Sequence, residues 1–199
     1  MKKPNARQRL LDAAADLFTE RGYGVVGINQ IIDKADTAKA SFYHHFPSKE
    51  CLCATWLEDA HDRAEARQME LLESDGSGGE KILRYFELLK TWLTTKDFRG
   101  CPYSNTAASL DNESKAIQEQ VVLHKNSLRT FFIELAGQDV AGSEEEARKL
   151  GTSLFLLYSG AAIEAQNLRS EWPVDAAIEC VGDLLDRYEG AAVVGGCGP

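Results

Sequence analysis

The stretch TAKASFYHHFPSKE, residues 37–50, holds the densest group of side chains that could do chemistry in this sequence. It contains three aromatic rings, two lysines and the adjacent histidines His44 and His45. Side chains of these types occur in metal or catalytic centres, in hydrophobic cores and on surfaces that contact a polyanion. The rest of the sequence has to distinguish these three kinds of site.

A metal or catalytic centre is not predicted. Successive residues of a helix point about 100° apart, so His44 and His45 cannot both reach one ion. His61 and His124 have no cysteine or carboxylate cluster at the spacing of metal ligands. The stretch SDGSGG at 74–79 lacks the Lys-Ser/Thr ending of a phosphate-binding loop. We predict no catalytic residue, no metal and no cofactor, and a helical enzyme has no group of residues to support it.

Composition indicates a globular protein. The chain has 199 residues, of which 44% are hydrophobic, and no apolar run approaches the roughly 20 residues that span a bilayer. The basic N-terminus is not followed by the apolar core of a signal peptide. We therefore predict a cytoplasmic protein without a membrane partner. The five cysteines form no CxxC pair, and most are expected to be free thiols.

The charge of the chain is distributed unevenly. The formal net charge is −9, but residues 1–50 carry eight Lys or Arg against six Asp or Glu. The remainder carries fourteen against twenty-five. A mildly basic N-terminal part therefore precedes a strongly acidic one, and only the first is suited to contact nucleic acid.

Helical periodicity runs along the whole sequence, and nothing indicates a strand ladder. Ser143 and Glu146 have the spacing of a capping box at a helix start. The predicted fold class is all-α. The predicted helical segments are 6–21, 28–35, 38–44, 49–73, 80–93, a short one after the loop at 96–101, 114–136, 143–168 and 174–189.

Two short helices after a longer one describe a helix-turn-helix unit. The stretch LFTERGYGVVGINQIIDKADTAKASFYHHFPSKECL resembles the N-terminal domain of TetR-family transcriptional repressors. The shared features are a Leu-Phe pair, a Gly-Tyr pair, an apolar second helix ending in Ala, and an ending of the form aromatic-Tyr-x-His-Phe-x-x-Lys. The resemblance implies a DNA-binding domain at 4–64, with the helix-turn-helix motif at about 27–46. A helical regulatory and dimerisation domain at 65–190 and a disordered tail at 191–199 would follow.

The third helix of this unit would be the recognition helix. Phe42 and Phe46 are four residues apart, point the same way and are predicted to be core. The resemblance implies that other positions contact DNA. The alternative for Tyr43 is a packed core tyrosine, and the alternative for Lys49 is a solvated lysine without a DNA contact. The predicted DNA-contacting residues are Lys39, Ser41, Tyr43, His44 and Lys49.

Several positions depart from the family pattern. Asp36 stands where the family usually has Gly in the turn, and Asp tolerates the left-handed conformation better than most residues. Gly27 is a weaker cap than the usual Ser or Thr. Ala38 and Ala40 replace residues that are often polar or Gly, which leaves fewer donors for base edges.

The resemblance also implies a ligand cavity between helices of the acidic part. Five residues could line it, although plain core packing is an alternative for each: Trp92, Cys101, Tyr103, His124 and Phe132. Arg99 and a helix start beside Cys101 would favour its thiolate, as in redox or electrophile sensors of the family. The last two helices would form a two-fold dimer interface through the stripe Leu154, Leu157, Ala161 and Ala165, which a monomer could instead bury itself.

Together these features predict a homodimeric, ligand-responsive repressor that binds a double-stranded DNA operator and is released by a small-molecule effector. The alternative is a small-molecule-binding or thiol-based redox sensor module whose DNA binding has degenerated.

Overall fold

The computed structural model describes residues 4–110 and 114–195, and within them there are helices and connections but no strand. The predicted all-α class is confirmed. Every predicted helical segment is found, and most ends move by one or two residues. The helices are α1 (Ala6–Arg21), α2 (Ile28–Lys34), α3 (Lys39–His45), α4 (Lys49–Glu73), α5 (Gly78–Thr95), α6 (Pro102–Ala107), α7 (Lys115–Gly137), α8 (Glu144–Leu168) and α9 (Trp172–Gly195).

Side-chain caps fix where two of the helices begin. The Ser77 hydroxyl accepts the backbone N–H of Glu80, whose carboxylate accepts the backbone N–H of Ser77. This reciprocal pair starts α5 two residues before the predicted position. At α8 the Ser143 hydroxyl accepts the Glu146 N–H as predicted, but the Glu146 carboxylate accepts from Gly142 instead.

The last helix is longer than predicted. The sequence indicated an end near Glu189 and a disordered tail from residue 191, whereas α9 continues to Gly195. Residues 196–199 of the predicted tail lie outside the described residues.

The chain divides into two compact units, each with its own core. The first comprises the described residues within Met1–Ala64 and Cys101–His124. Its core combines side chains of α1 to α4 with Tyr103, Ile117 and Val121. The predicted boundary between a DNA-binding and a regulatory domain, after residue 64, stays a prediction. The described residues within 101–124 pack with this first unit, although the sequence had placed them in the segment 65–190, because Tyr103, Ile117 and Val121 enter the same core.

The second unit comprises the described residues within Glu65–Gly100 and Lys125–Pro199. Its core is built on rings of α5, α7 and α8, with Phe86 and Phe132 fully buried. The Tyr158 ring lies 5.5 Å from each of those two rings. None of the helices within the described residues has the length and apolarity needed to cross a bilayer.

Candidate nucleic-acid interface

Helix α3, the predicted recognition helix, is anchored by one apolar face. Phe42 and Phe46 are 0% and 1% exposed, and their ring centres lie 6.3 Å apart. Both belong to the core of the first unit, as the four-residue spacing predicted. Since α3 has only seven residues, it depends on this burial to remain helical.

The opposite face of α3 is open to solvent. Lys39 and His44 are exposed, Ser41 is half-buried, and 48% of Tyr43 is exposed. The Tyr43 ring lies edge-on to the Phe42 ring, with 5.2 Å between their centres. Part of the Tyr43 side chain therefore packs on the first unit, while about half of it faces solvent. The structure therefore does not support the alternative of a core tyrosine. A cation, two hydroxyls and an imidazole lie on one short helix, and such groups commonly contact phosphates.

The two histidines have different surroundings although their rings lie 4.9 Å apart. His44 is exposed, whereas His45 is half-buried. Among the residues that the structure describes, no three His, Cys, Asp or Glu side chains are grouped as metal ligands.

The turn between α2 and α3 is tied to α1 by Arg9. Asp36 has a φ of +48°, the left-handed conformation that its position in the turn requires. Arg9 donates from Nε to the Ala35 carbonyl at 2.9 Å and from Nη2 to the Asp36 carbonyl at 3.1 Å. A guanidinium is suited to this role because its donors form a rigid fork. The sequence analysis missed Arg9, because helical periodicity marks it as a polar position of α1 but does not indicate its partners 26 and 27 residues away.

The weak cap at Gly27 is compensated by a neighbouring side chain. Glycine offers no side-chain acceptor, but the Gln30 side-chain oxygen accepts the Gly27 backbone N–H at 2.9 Å. The start of α2 is therefore fixed from inside the helix. Two of the departures from the family pattern, Gly27 and Asp36, leave the motif geometrically intact.

Lys49 begins α4 with its ammonium directed at the connection between α1 and α2. It donates to the Tyr23 and Val26 carbonyls, each at 3.0 Å, and lies 4.2 Å from the centre of the Tyr23 ring. Burial lowers the pKa of Lys49, and the nearby Cys53 opposes this shift. An ammonium has three donors, so two carbonyl bonds leave one for a phosphate.

Cys53 is a packing residue of the first unit. Its side chain is fully buried, and burial raises the pKa of the thiol to about 12 against the opposing effect of Lys49. A thiol with this pKa stays protonated and unreactive near neutral pH.

The comparisons with known proteins agree with this geometry. The sequence profile described as bacterial regulatory proteins, tetR family, matches residues 10–54, from α1 to the start of α4. The HTH-type transcriptional regulator LmrA of Bacillus subtilis is 26% identical over 189 residues, which cover 94% of this chain and 100% of LmrA. The chain belongs to the TetR family. It is a DNA-binding transcriptional regulator.

Two further similarities extend over nearly the whole length of this TetR-family chain. The HTH-type transcriptional repressor NemR of Escherichia coli is 26% identical over 191 residues, covering 91% of this chain and 94% of NemR. A TetR-family transcriptional regulator from Streptomyces coelicolor has the same fold, with a TM-score of 0.83 and 24% identity. That alignment covers 92% of this chain and 95% of the other.

The residues predicted to line a ligand cavity divide between the two units. Trp92 and Phe132 belong to the second unit, where Trp92 is half-buried and Phe132 is fully buried among aromatic rings. Cys101, Tyr103 and His124 belong to the first unit. Tyr103 and His124 are both buried, and their rings stack in parallel at 3.6 Å.

The second unit of this TetR-family chain also has an open cavity of about 900 Å³. The end of α7 and the start of α8 line it, including Ile133, Ala147 and Arg148. None of the five residues predicted to line a ligand cavity contributes to its lining.

The predicted dimer stripe on α8 is used inside the chain. Leu154, Ala161 and Ala165 are buried in the core of the second unit, and the half-buried Leu157 packs against it. This corrects the prediction that they face a partner and agrees with the alternative in which one chain buries them. The exposed apolar side chains of α8 are offset from this stripe and include Leu156 and Ile163, which are 62% and 40% exposed.

Proposed function

We propose that this TetR-family protein is a homodimeric repressor that leaves its operator when a small-molecule effector binds. The observation that carries the proposal is the exposed face of α3, on a helix anchored by two buried phenylalanines. In a helix-turn-helix protein the second helix of the motif enters the major groove. Two such helices in a dimer would occupy successive major grooves of a near-palindromic site.

The contacts with DNA follow from the residue types on the exposed face of α3. Lys39, Ser41, Tyr43 and His44 would contact phosphates and groove edges, with Lys49 at the start of α4 adding a charge. Ala38 and Ala40 are exposed on the same helix. Their methyl groups offer apolar contacts, which suit the C5-methyl group of thymine.

A second copy of the chain would pack on the exposed face of α8. Leu156, Gly160 and Ile163 lie at helical spacing and are all exposed. A Cβ added at Gly160 would meet nothing within 4 Å, so the chain itself leaves this position open. A small residue between two large apolar ones permits close approach of another helix.

Release requires only that the effector prefer the state that does not bind DNA. A preference of about 2–3 kcal/mol lowers the DNA affinity about 30- to 150-fold. The acidic second unit would repel phosphates, which helps to orient the encounter with DNA.

The direct test is an electrophoretic mobility shift with the DNA upstream of the protein's own gene. We expect a specific shift that is weakened for all sequences by Lys39→Ala, since a phosphate contact is lost. Lys96→Ala, which removes an exposed lysine of the second unit, is the matched control and should leave the affinity unchanged. If no specific DNA is bound, or if both variants act alike, the proposed interface is rejected.

A thiol-based sensor with degenerate DNA binding is the second candidate. It is favoured by the half-buried Cys101, which directly precedes α6. NemR, the relative described above, has been solved in a reduced form, and that structure matches this chain with a TM-score of 0.77 at 24% identity. Under this proposal Cys101→Ser should abolish the response to peroxide or electrophiles. A response that survives the substitution removes Cys101 as the sensor.

A further inference from the structure

Three polar rings of the first unit, those of His61, Tyr103 and His124, meet in its interior at the contact of α4, α6 and α7. The Tyr103 hydroxyl donates to the Leu57 carbonyl at 2.9 Å, one helical turn from His61. The Tyr103 ring stacks on His124, with 3.6 Å between ring centres and 6° between planes. The His61 ring stands edge-on to His124 at 5.7 Å. These contacts fix the positions of three rings around one point.

Gln120 belongs to the same group because it precedes His124 by one turn of α7. Residues four apart on a helix lie on the same face, so the Gln120 amide is carried beside the His124 ring. His61 is 7% exposed and His124 is 9% exposed, so both imidazoles are inside the unit. We call His61, Tyr103, Gln120 and His124 the polar cluster.

Two atoms of the polar cluster are buried without a partner in the described part of the chain. They are Nδ1 of His61 and the side-chain oxygen of Gln120. A buried polar atom without a hydrogen bond destabilises a fold, and folded proteins rarely keep one. Two such atoms beside one stacked pair of rings indicate a binding site for a molecule that forms hydrogen bonds with both.

We propose that the polar cluster binds a small uncharged molecule bearing a hydroxyl group, and that this is the effector site. The inference rests on the proposed effector-responsive function. A hydroxyl both donates and accepts, so it can donate to the Gln120 side-chain oxygen while it accepts from the protonated Nδ1 of His61. The ligand is uncharged because none of the four side chains is a carboxylate or an ammonium, and a buried ion without a counter-charge is strongly unfavourable.

The side chains of the polar cluster come from distant parts of the sequence, before residue 65 and after residue 100. His61 comes from α4, whereas Tyr103 and Gln120 come from α6 and α7. A ligand that contacts His61, Tyr103 and Gln120 would favour the position of α4 in which His61 and Gln120 both form hydrogen bonds with it. Because α4 begins at Lys49, which holds the connection between α1 and α2, such a preference reaches the helix-turn-helix motif through one element.

The test uses phenol as the probe and toluene as its counterpart without a hydroxyl, with the full-length protein. Signals of the His61 and His124 rings are followed by NMR during titration. We expect phenol to shift them and toluene not to. Gln120→Met and His61→Leu should each weaken phenol binding at least tenfold, whereas Gln118→Met, an exposed position two residues earlier on α7, should not.

The same variants give a second measurement without any ligand. Removing an unpartnered buried atom should raise the Tm of the free protein by about 2–4 °C for Gln120→Met. A lower Tm for both cluster variants would show that the atoms are satisfied by water in the free protein, which overturns the proposal. Equal binding of phenol and toluene, no binding of phenol, or binding unaffected by both variants also overturns it.

Failure of this site and failure of the proposed function give different results. If the wild-type protein shifts operator DNA but phenol does not bind, the effector site is elsewhere and the regulator remains. If phenol binds as expected but no specific DNA is bound, the site stands and the proposed repressor function is rejected.

Discussion

The ammonium of Lys49 lies 4.2 Å from the centre of the Tyr23 ring and donates to the Tyr23 carbonyl at 3.0 Å. A residue at the start of α4 thus holds the connection that leads into the helix-turn-helix motif. The sequence had indicated Lys49 only as a phosphate contact. These two roles have different experimental signatures.

Lys49→Met is expected to lower both stability and DNA affinity. Loss of the donor leaves the Tyr23 and Val26 carbonyls without their charged partner, which should lower the free energy of unfolding by about 1–3 kcal/mol in urea titrations. If the third donor contacts a phosphate, the slope of log K against log salt should fall by about 0.9. An unchanged free energy of unfolding would show that the hydrogen bonds of Lys49 to the two carbonyls do not stabilise the fold. An unchanged slope would remove Lys49 from the phosphate contacts.

Arg9→Met is expected to loosen the turn between α2 and α3. The Ala35 and Asp36 carbonyls would lose their donors, so the free energy of unfolding should fall by about 1–3 kcal/mol. Arg9→Lys should not restore it, because an ammonium lacks the fork geometry. Arg7→Met is the control, since exposed Arg7 only lies 5.5 Å from the Phe46 ring and should change stability by about 1 kcal/mol or less. Equal effects at both positions would contradict a stabilising role of the Arg9 hydrogen bonds to the turn.

Leu156→Glu should convert the proposed dimer into a monomer, because it places a charge on the exposed face of α8. Leu156 is 62% exposed in the chain, so the fold of one chain should tolerate the change. Leu88→Glu is the matched control, at a leucine of α5 that is 53% exposed. Sedimentation equilibrium would measure the mass of each variant. A dimer that survives Leu156→Glu places the interface elsewhere.

Gly151→Ala should destabilise the contact between α7 and α8. A Cβ at Gly151 would lie 2.5 Å from backbone atoms of Ile133, and backbone cannot move aside cheaply. Overpacking of this kind costs about 1–3 kcal/mol, measured as a lower midpoint of thermal unfolding. Gly182→Ala should instead stabilise by up to about 1 kcal/mol, since a Cβ at that helical position meets nothing within 4 Å. A neutral Gly151→Ala would mean that the helices can separate without cost.

The ion pair of Asp97 and Arg169 should give a stability increment that depends on pH. The Arg169 guanidinium donates to the Asp97 carboxylate at 2.6 Å and lowers the pKa of Asp97 below its usual value of 3.8. Because the pKa of Asp97 is lower in the folded than in the unfolded state, the ion pair stabilises the fold at pH values above 3.8. This stabilisation is lost as the pH falls further. Arg169→Gln should therefore have a lower Tm than wild type at neutral pH, and the difference should vanish in acid. A difference that is constant with pH would contradict this origin.

The sequence by itself determined the helices of this protein and which side chains of α3 are buried or exposed. Local signals sufficed there: four-residue spacing placed Phe42 and Phe46 inside, and the other positions of α3 followed. The left-handed conformation of Asp36 was also foreseeable, because a turn between two short helices requires it and Asp tolerates it. Such features depend on a few neighbouring residues.

Only the tertiary structure decided which distant side chains meet. Arg9 reaches Asp36 across 27 positions, and His61 lies against His124 although they come from different helices. The stripe at Leu154 likewise looked available for a partner until the rest of its unit was seen to cover it. Periodicity reports which face of a helix is apolar but not which partner buries it, because that choice depends on contacts between residues far apart in the chain.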